Sequence, residues 1–304
     1  MARISRFVRI ALVAATLCAI PLPSFAAVFV GVGVSVNLAP PPLPVYVQPP
    51  VPGPNYLWTP GYWGWGPGGY YWVPGTWVFA PVPGYLWTPG YWGWNTGYYA
   101  WHPGYWGPHI GFYGGINYGF GYFGVGYVGG GWFGGAFRYN SAVTNVNTTI
   151  VRNVYVDKTV INNYNYNTNV TRVAYNGGPA GIQARPTAAE AAVADEHHVG
   201  LTPMQRAHVV TAAHDRNMLA TVNGGRPSVL AVDRPFNRAN RPAGFTPMTA
   251  ADRASVRDHL VARGSRGPGA GPDARTYNSN SHQPPNRQNR RNGNWRHGRN
   301  PSSP

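Results

Sequence analysis

The apolar positions change period along the chain. From Val28 to Leu38, Val28, Val30, Val32, Val34, Val36 and Leu38 alternate with mostly small or polar residues. A strict period of two predicts a half-buried strand. Four aromatic units follow: YLWTPGYW at 56–63, YYWVPGTW at 70–77, YLWTPGYW at 85–92 and YAWHPGYW at 99–106. Each fits Y-x-W-x-P-G-x-W, with starts 14, 15 and 14 residues apart and a larger period of 29. Proline presets φ and glycine accepts positive φ, so each Pro-Gly predicts a tight turn between two short strands. Such a turn at Pro60-Gly61 sets Trp58 opposite Trp63 and Tyr56 opposite Trp65. The equivalent expected pairs are Trp72 with Trp77, Trp87 with Trp92 and Trp101 with Trp106. A lone hairpin is marginal in water, so the hairpins are expected to join in one small sheet or barrel-like unit.

Other segments read differently. Residues 39–54 hold eight prolines and predict a polyproline-like connector. Residues 107–137 carry 13 glycines and 10 aromatics, including two matches to G-x-G-x-x-G at Gly119-Gly121-Gly124 and Gly124-Gly126-Gly129. Neither match opens a helix and no acidic residue follows until Asp157, so the dinucleotide reading fails. Residues 140–175, rich in Asn, Thr and Val, suit exposed or loosely ordered strands. Helical signals come last. Thr187 with Glu190 and Thr202 with Gln205 are capping-box patterns, the second with Pro203 at the first helical position. The second helix is expected to end at Asn223-Gly224, and a third to run from about Thr249 to Gly264. Their alanine and valine stripes need a surface to dock on.

The first 26 residues resemble a secretory leader, with Arg3, Arg6 and Arg9, an apolar run from Ile10 to Ile20, and Ser24-Phe25-Ala26 as the cleavage region. The run has 11 residues, short of the roughly 20 a membrane-spanning helix needs. The expected organisation is a signal peptide (1–26), a strand and Pro-rich connector (27–50), an aromatic repeat domain (51–137), an Asn/Thr-rich segment (138–183), a helical segment (184–263) and a disordered basic tail (264–304). The fold class is mainly β, followed by a few helices.

Composition narrows the chemistry. Cys18, the only cysteine, lies inside the leader, so the mature chain has neither disulfides nor a thiolate nucleophile. No Asp, Glu, Lys or Arg occurs from Ile10 to Phe137. Removing the leader arginines leaves 21 basic against nine acidic side chains, nearly all of the basic ones arginine. This balance suits anionic partners, here cell-wall or surface polysaccharide or another envelope polyanion. Specific nucleic-acid binding is not expected, because stacking aromatics and arginines are segregated along the chain instead of interleaved.

Catalysis needs positioned acids, bases or nucleophiles. The repeat domain offers His102 and His109 without a carboxylate, which excludes a two-carboxylate glycosidase there. Downstream, Glu190, Asp195, Glu196, Asp215, Asp233, Asp252 and Asp258 sit on or near short helices, where capping is their ordinary role. His197 and His198 are adjacent, and His208 and His214 are six apart. Neither spacing sets two metal ligands on one helix face. The expectation is a non-enzyme without cofactor or metal. The binding candidates are Trp58, Trp63, Trp72, Trp77, Trp87, Trp92, Trp101 and Trp106, either as a core or as a surface for sugar rings.

The four W-x-x-G-x-W cores, Trp58 to Trp63, Trp72 to Trp77, Trp87 to Trp92 and Trp101 to Trp106, resemble the YXWGXW (WXXGXW) repeat family of exported bacterial proteins. The stretch YNGGPAGIQARPT, Tyr175 to Thr187, is similar to one found in such proteins. The resemblance covers residues 51–187 and implies a signal peptide and an envelope location. It carries over no catalytic or binding residue. This chain has Pro where the family pattern writes Gly after the first Trp. The residues and the resemblance together give a structural or adhesive module of the periplasm or outer surface, with glycan binding as the alternative.

Overall fold

A computed structural model describes residues 34–161, 172–237 and 239–254. Within it the aromatic segment reverses direction between the motifs, not inside them. Strands β2 (Tyr56–Thr59), β3 (Tyr62–Gly66), β4 (Gly69–Val73) and β5 (Gly75–Phe79) form one long hairpin. Its loop is Pro67-Gly68, with Gly66 opposite Gly69 and Gly69 at φ 89°. Strands β6 (Leu86–Thr88), β7 (Tyr91–Asn95), β8 (Tyr98–His102) and β9 (Tyr105–Gly107) repeat the arrangement. Here the loop is Thr96-Gly97, both at positive φ, the geometry that suits a two-residue hairpin turn.

This overturns the expected tryptophan pairing. Trp63 lies opposite Trp72 and Trp58 opposite Trp77; Trp92 lies opposite Trp101 and Trp87 opposite Trp106. Tyr56 faces Phe79, and Trp65 faces Tyr70. Each motif therefore pairs with its neighbour in the chain, and the 29-residue period is the true unit. The motif Pro-Gly pairs are bends at which each hairpin passes from one ladder to the next without losing register. Proline suits such a bend because it has no N–H to give to a ladder. The N–H groups freed there find other acceptors: Gly61 donates to the Tyr46 hydroxyl (3.2 Å) and Gly75 to the Leu230 carbonyl (3.1 Å).

The remaining strands extend the ladders. β1 (Ser35–Val36) pairs with β8, β10 (Asn117–Gly119) with β11 (Tyr122–Phe123), and β12 (Gly130–Phe133) with β13 (Ala136–Asn140). Three strands join in parallel: β14 (Val154–Tyr155) on β13, β15 (Tyr175–Asn176) on β7, and β16 (Ala231–Val232) on β5. The described residues are thus mainly β, in six sheets of two to four strands, and no barrel closes among them. The strand expected at 28–38 is reduced to Ser35–Val36 within the described part. The glycines of the two G-x-G-x-x-G matches lie in and around the β10–β11 hairpin, with Gly119, Gly121, Gly124 and Gly126 all at positive φ.

Residues 39–54 are more than a connector. With the preceding Leu38 they wrap the first hairpin as a strap whose carbonyls accept from core side chains: Trp63 donates to Pro42 (3.2 Å), Trp77 to Pro49 (2.9 Å) and Tyr70 to Leu38 (2.7 Å). A polyproline backbone makes no internal hydrogen bonds, so its carbonyls are free for this. Leu43, Gln48 and Val51 of the strap are themselves buried.

Helix α1 (Ala188–Ala192) starts at the Thr187–Glu190 capping box, and α2 (Pro203–Ala213) at the Thr202–Gln205 box with proline in its first turn. Gln205, His208, Val209, Ala212 and Ala213 are buried where α2 packs on β4. Contrary to expectation, α2 stops at His214. Asp215 is buried and its carboxylate accepts from the N–H groups of Asn217 (3.0 Å) and Thr246 (3.2 Å), which starts a 3-10 turn, Arg216–Met218. Asn223-Gly224 ends a separate short helix, α3 (Ala220–Asn223), with Gly224 left-handed. The third expected helix begins at a reciprocal Thr249–Asp252 cap, and its end lies outside the described residues. The leader at 1–26 and the tail at 264–304 also lie outside them.

Candidate functional site

Seven of the eight motif tryptophans, Trp58, Trp63, Trp72, Trp77, Trp87, Trp92 and Trp106, are at most 4% exposed. The spacing of the motif explains how. At the first bend, a Cβ on Gly61 would lie 2.3 Å from the ring of Trp72, and one on Gly75 would lie 2.5 Å from the ring of Trp58. At the second bend, Gly90 lies under Trp101 and Gly104 under Trp87, each with a would-be Cβ 2.5 Å from the ring. The first Trp of each motif thus covers the Gly of its partner motif, and the contact is reciprocal. The ring pairs Trp58–Trp77 and Trp63–Trp72 are edge-to-face at 5.1 and 5.2 Å, a geometry worth about 0.5–1.5 kcal/mol per pair beyond area burial.

The two hairpins are joined by the same side chains. Trp92 donates its indole N–H to the Trp63 carbonyl (2.8 Å), and Tyr70 meets the Trp92 ring edge-to-face at 5.3 Å. Trp72 donates to Leu230 (3.0 Å) and Trp106 to the Gln205 side chain (2.9 Å), which tie in the later segments. Trp58 Nε1 is buried and finds no acceptor among the described residues. A sugar ring needs an exposed aromatic face, so burial leaves these seven as packing groups.

Trp101 is the exception. It is half-exposed and stacks on Tyr62 at 5.0 Å and 17° in the wall of a groove of about 430 Å³ between the two hairpins. Half-exposed Trp65, Tyr105 and His198 and exposed Arg206 also line it. Tyr105 stacks on His198 at 3.8 Å. Burial, ahead of the charges of Glu196 and Glu190, pushes the Tyr105 hydroxyl up, and a bond to Thr88 opposes this, so the phenol stays protonated. Reasoning from tryptophan spacing missed Tyr62 and Tyr105. Their signal was present: each occupies the variable position before the last Trp of its motif, and strand alternation turns it away from that buried ring.

Several of the carboxylates have local structural partners. Glu190 and Asp252 close capping boxes, Asp157 caps Thr159, and Glu196 pairs with His109 at 2.7 Å. Asp252 also pairs with Arg216, at 2.6 Å. No three His, Cys, Asp or Glu side chains among the described residues form a group that could hold a metal ion. No helix among them is long and apolar enough to cross a membrane.

His208 is buried beneath the first bend. Its Nδ1 accepts from the Phe236 N–H (2.8 Å), so Nε2 carries the proton and donates to the Pro74 carbonyl (2.8 Å). Both ring nitrogens are satisfied in the neutral form, and burial holds the pKa down at about 4, against an ordinary 6.5. Between these values the unfolded chain binds more protons, so stability is full above pH 6.5 and falls as the pH drops towards 4. The loss is roughly 3 kcal/mol. His208→Gln should flatten this part of the profile, as urea unfolding at pH 7 and pH 4.5 would show; an unchanged slope would contradict the assignment.

A family model for the WXXGXW repeat matches twice, at residues 53–78 and 83–106. Comparisons with curated proteins and with solved structures return no match. Each matched copy spans two motifs, the stretch that folds as one bent hairpin. The chain therefore carries two copies of the WXXGXW repeat, and one copy is one hairpin closed by reciprocal Trp-on-Gly contacts.

Proposed function

We propose that the chain is an exported, non-catalytic structural or adhesive protein of the cell envelope. The observation that carries this reading is the interlocked tryptophan core. The repeated residues pack against one another, with no charged side chain from Ile10 to Phe137. Glu190, Asp215 and Asp252 serve as caps, and Glu196 and Asp252 form ion pairs. The leader pattern supports export, with the mature chain beginning at Ala27.

Retention at the envelope falls to the arginine-rich tail, which carries seven arginines and one aspartate from Gly264 to Pro304. Each arginine near an anionic surface adds about 1 kcal/mol, and the attraction decays within a Debye length of about 8 Å at physiological salt. The full chain should co-sediment with isolated envelopes at low salt and be released as salt rises. A chain ending at Gly264 should stay soluble with its repeat hairpins folded. Equal, salt-insensitive sedimentation of both would contradict retention by the tail.

A further inference from the structure

We infer that the groove between the two hairpins is a binding site for an acidic oligosaccharide. The inference goes beyond the structural reading and does not depend on it. Four half-exposed rings, Tyr62, Trp65, Trp101 and Tyr105, wall the groove, although most aromatics of the repeat are buried. Aromatic rings with a polar edge suit the apolar faces and hydroxyls of a pyranose. At about 430 Å³ the groove lies within the range of small-ligand sites.

Its charge selects the class of sugar. Arg206 is the only charged residue lining the groove and makes no ion pair among the described residues. One of its nitrogens donates to the Leu201 carbonyl, which anchors the side chain at the base of α2. A guanidinium has five N–H donors in a planar fork, so donors remain for a carboxylate. Glu196, which follows Asp195 on the same segment as His198, is engaged with His109. The site thus offers stacking walls and one anchored, unpaired cation, which fits a uronate-type chain better than a neutral one.

The test titrates the full chain with a galacturonate hexamer and, separately, with a neutral glucose hexamer. Calorimetry reads affinity and the tryptophan indole N–H resonances read location. The galacturonate hexamer should bind and shift Trp65 and Trp101, while Trp63 and Trp77, bonded to strap carbonyls, stay in place. Arg206→Gln should weaken binding about tenfold, the loss of one charge-assisted hydrogen bond. Arg226→Gln, an exposed arginine outside this groove, should leave it unchanged and so separates the site from the general attraction of a basic chain. Trp65→Ala should weaken binding to both hexamers while near-UV circular dichroism shows the core intact; a collapsed spectrum would shift that comparison to Trp65→Phe. Absence of galacturonate binding, equal affinity for the neutral hexamer, or equal losses in the two arginine variants would each overturn the site.

Discussion

Gly61→Ala and Gly75→Ala are each expected to destabilise the fold by about 3 kcal/mol or more, the upper end for overpacking. Neither glycine is at positive φ, so the cause is steric contact. The new methyl at position 61 would meet the Trp72 ring at 2.3 Å and the Gly75 backbone nitrogen at 2.9 Å. The ring cannot retreat, because Trp72 is fully buried and its N–H is bonded to Leu230. The bend cannot open without breaking the register on both sides. Gly200→Ala is the control: its Cβ would meet nothing within 4 Å, so stability should change by less than about 0.5 kcal/mol. Chemical denaturation of the three variants measures the difference. A change at Gly61 as small as at Gly200 would mean that the two bends do not touch.

Trp92→Ala should cost about 3–5 kcal/mol and should loosen both hairpins together. Its ring packs against Trp101 at 5.3 Å within its own hairpin and against Tyr70 of the other, while its N–H holds the Trp63 carbonyl. Removing it leaves a cavity at the junction and an unpaired carbonyl in the first hairpin. Hydrogen exchange at β3 and β4 should therefore accelerate along with that at β7 and β8. Acceleration confined to β7 and β8 would show two independent units instead of one packed domain.

Element type was legible in the sequence, while partner choice was not. Thr187–Glu190 and Thr202–Gln205 announce their helices because a capping box is closed by residues three apart, a purely local fact. Pro60-Gly61 misled because the pair suits a tight turn, whereas here Gly61 takes no positive φ and its missing side chain instead lets the Trp72 ring close over the bend. The competing Pro67-Gly68 and Thr96-Gly97 loops sit outside the repeated motif and so escape motif-based reading. The decisive term is non-local: pairing one motif with the next puts Trp58 over Gly75 and Trp72 over Gly61, 17 and 11 residues away. The strap was legible as polyproline, but its role as acceptor for Trp63 and Trp77 depends on contacts 21 and 28 residues apart. The groove emerged for the same reason. Its walls come from both hairpins and from the segment around α2, and no single stretch of sequence contains it.

The pairing itself is open to direct test by nuclear Overhauser contacts between indole rings in a selectively tryptophan-labelled chain. Contacts are expected between Trp63 and Trp72 and between Trp58 and Trp77, whose ring centroids are 5.2 and 5.1 Å apart. The same is expected for Trp92 with Trp101 and Trp87 with Trp106, at 5.3 and 5.2 Å. Contacts of Trp58 with Trp63 and of Trp72 with Trp77, without the cross-motif set, would contradict this pairing and restore one hairpin per motif.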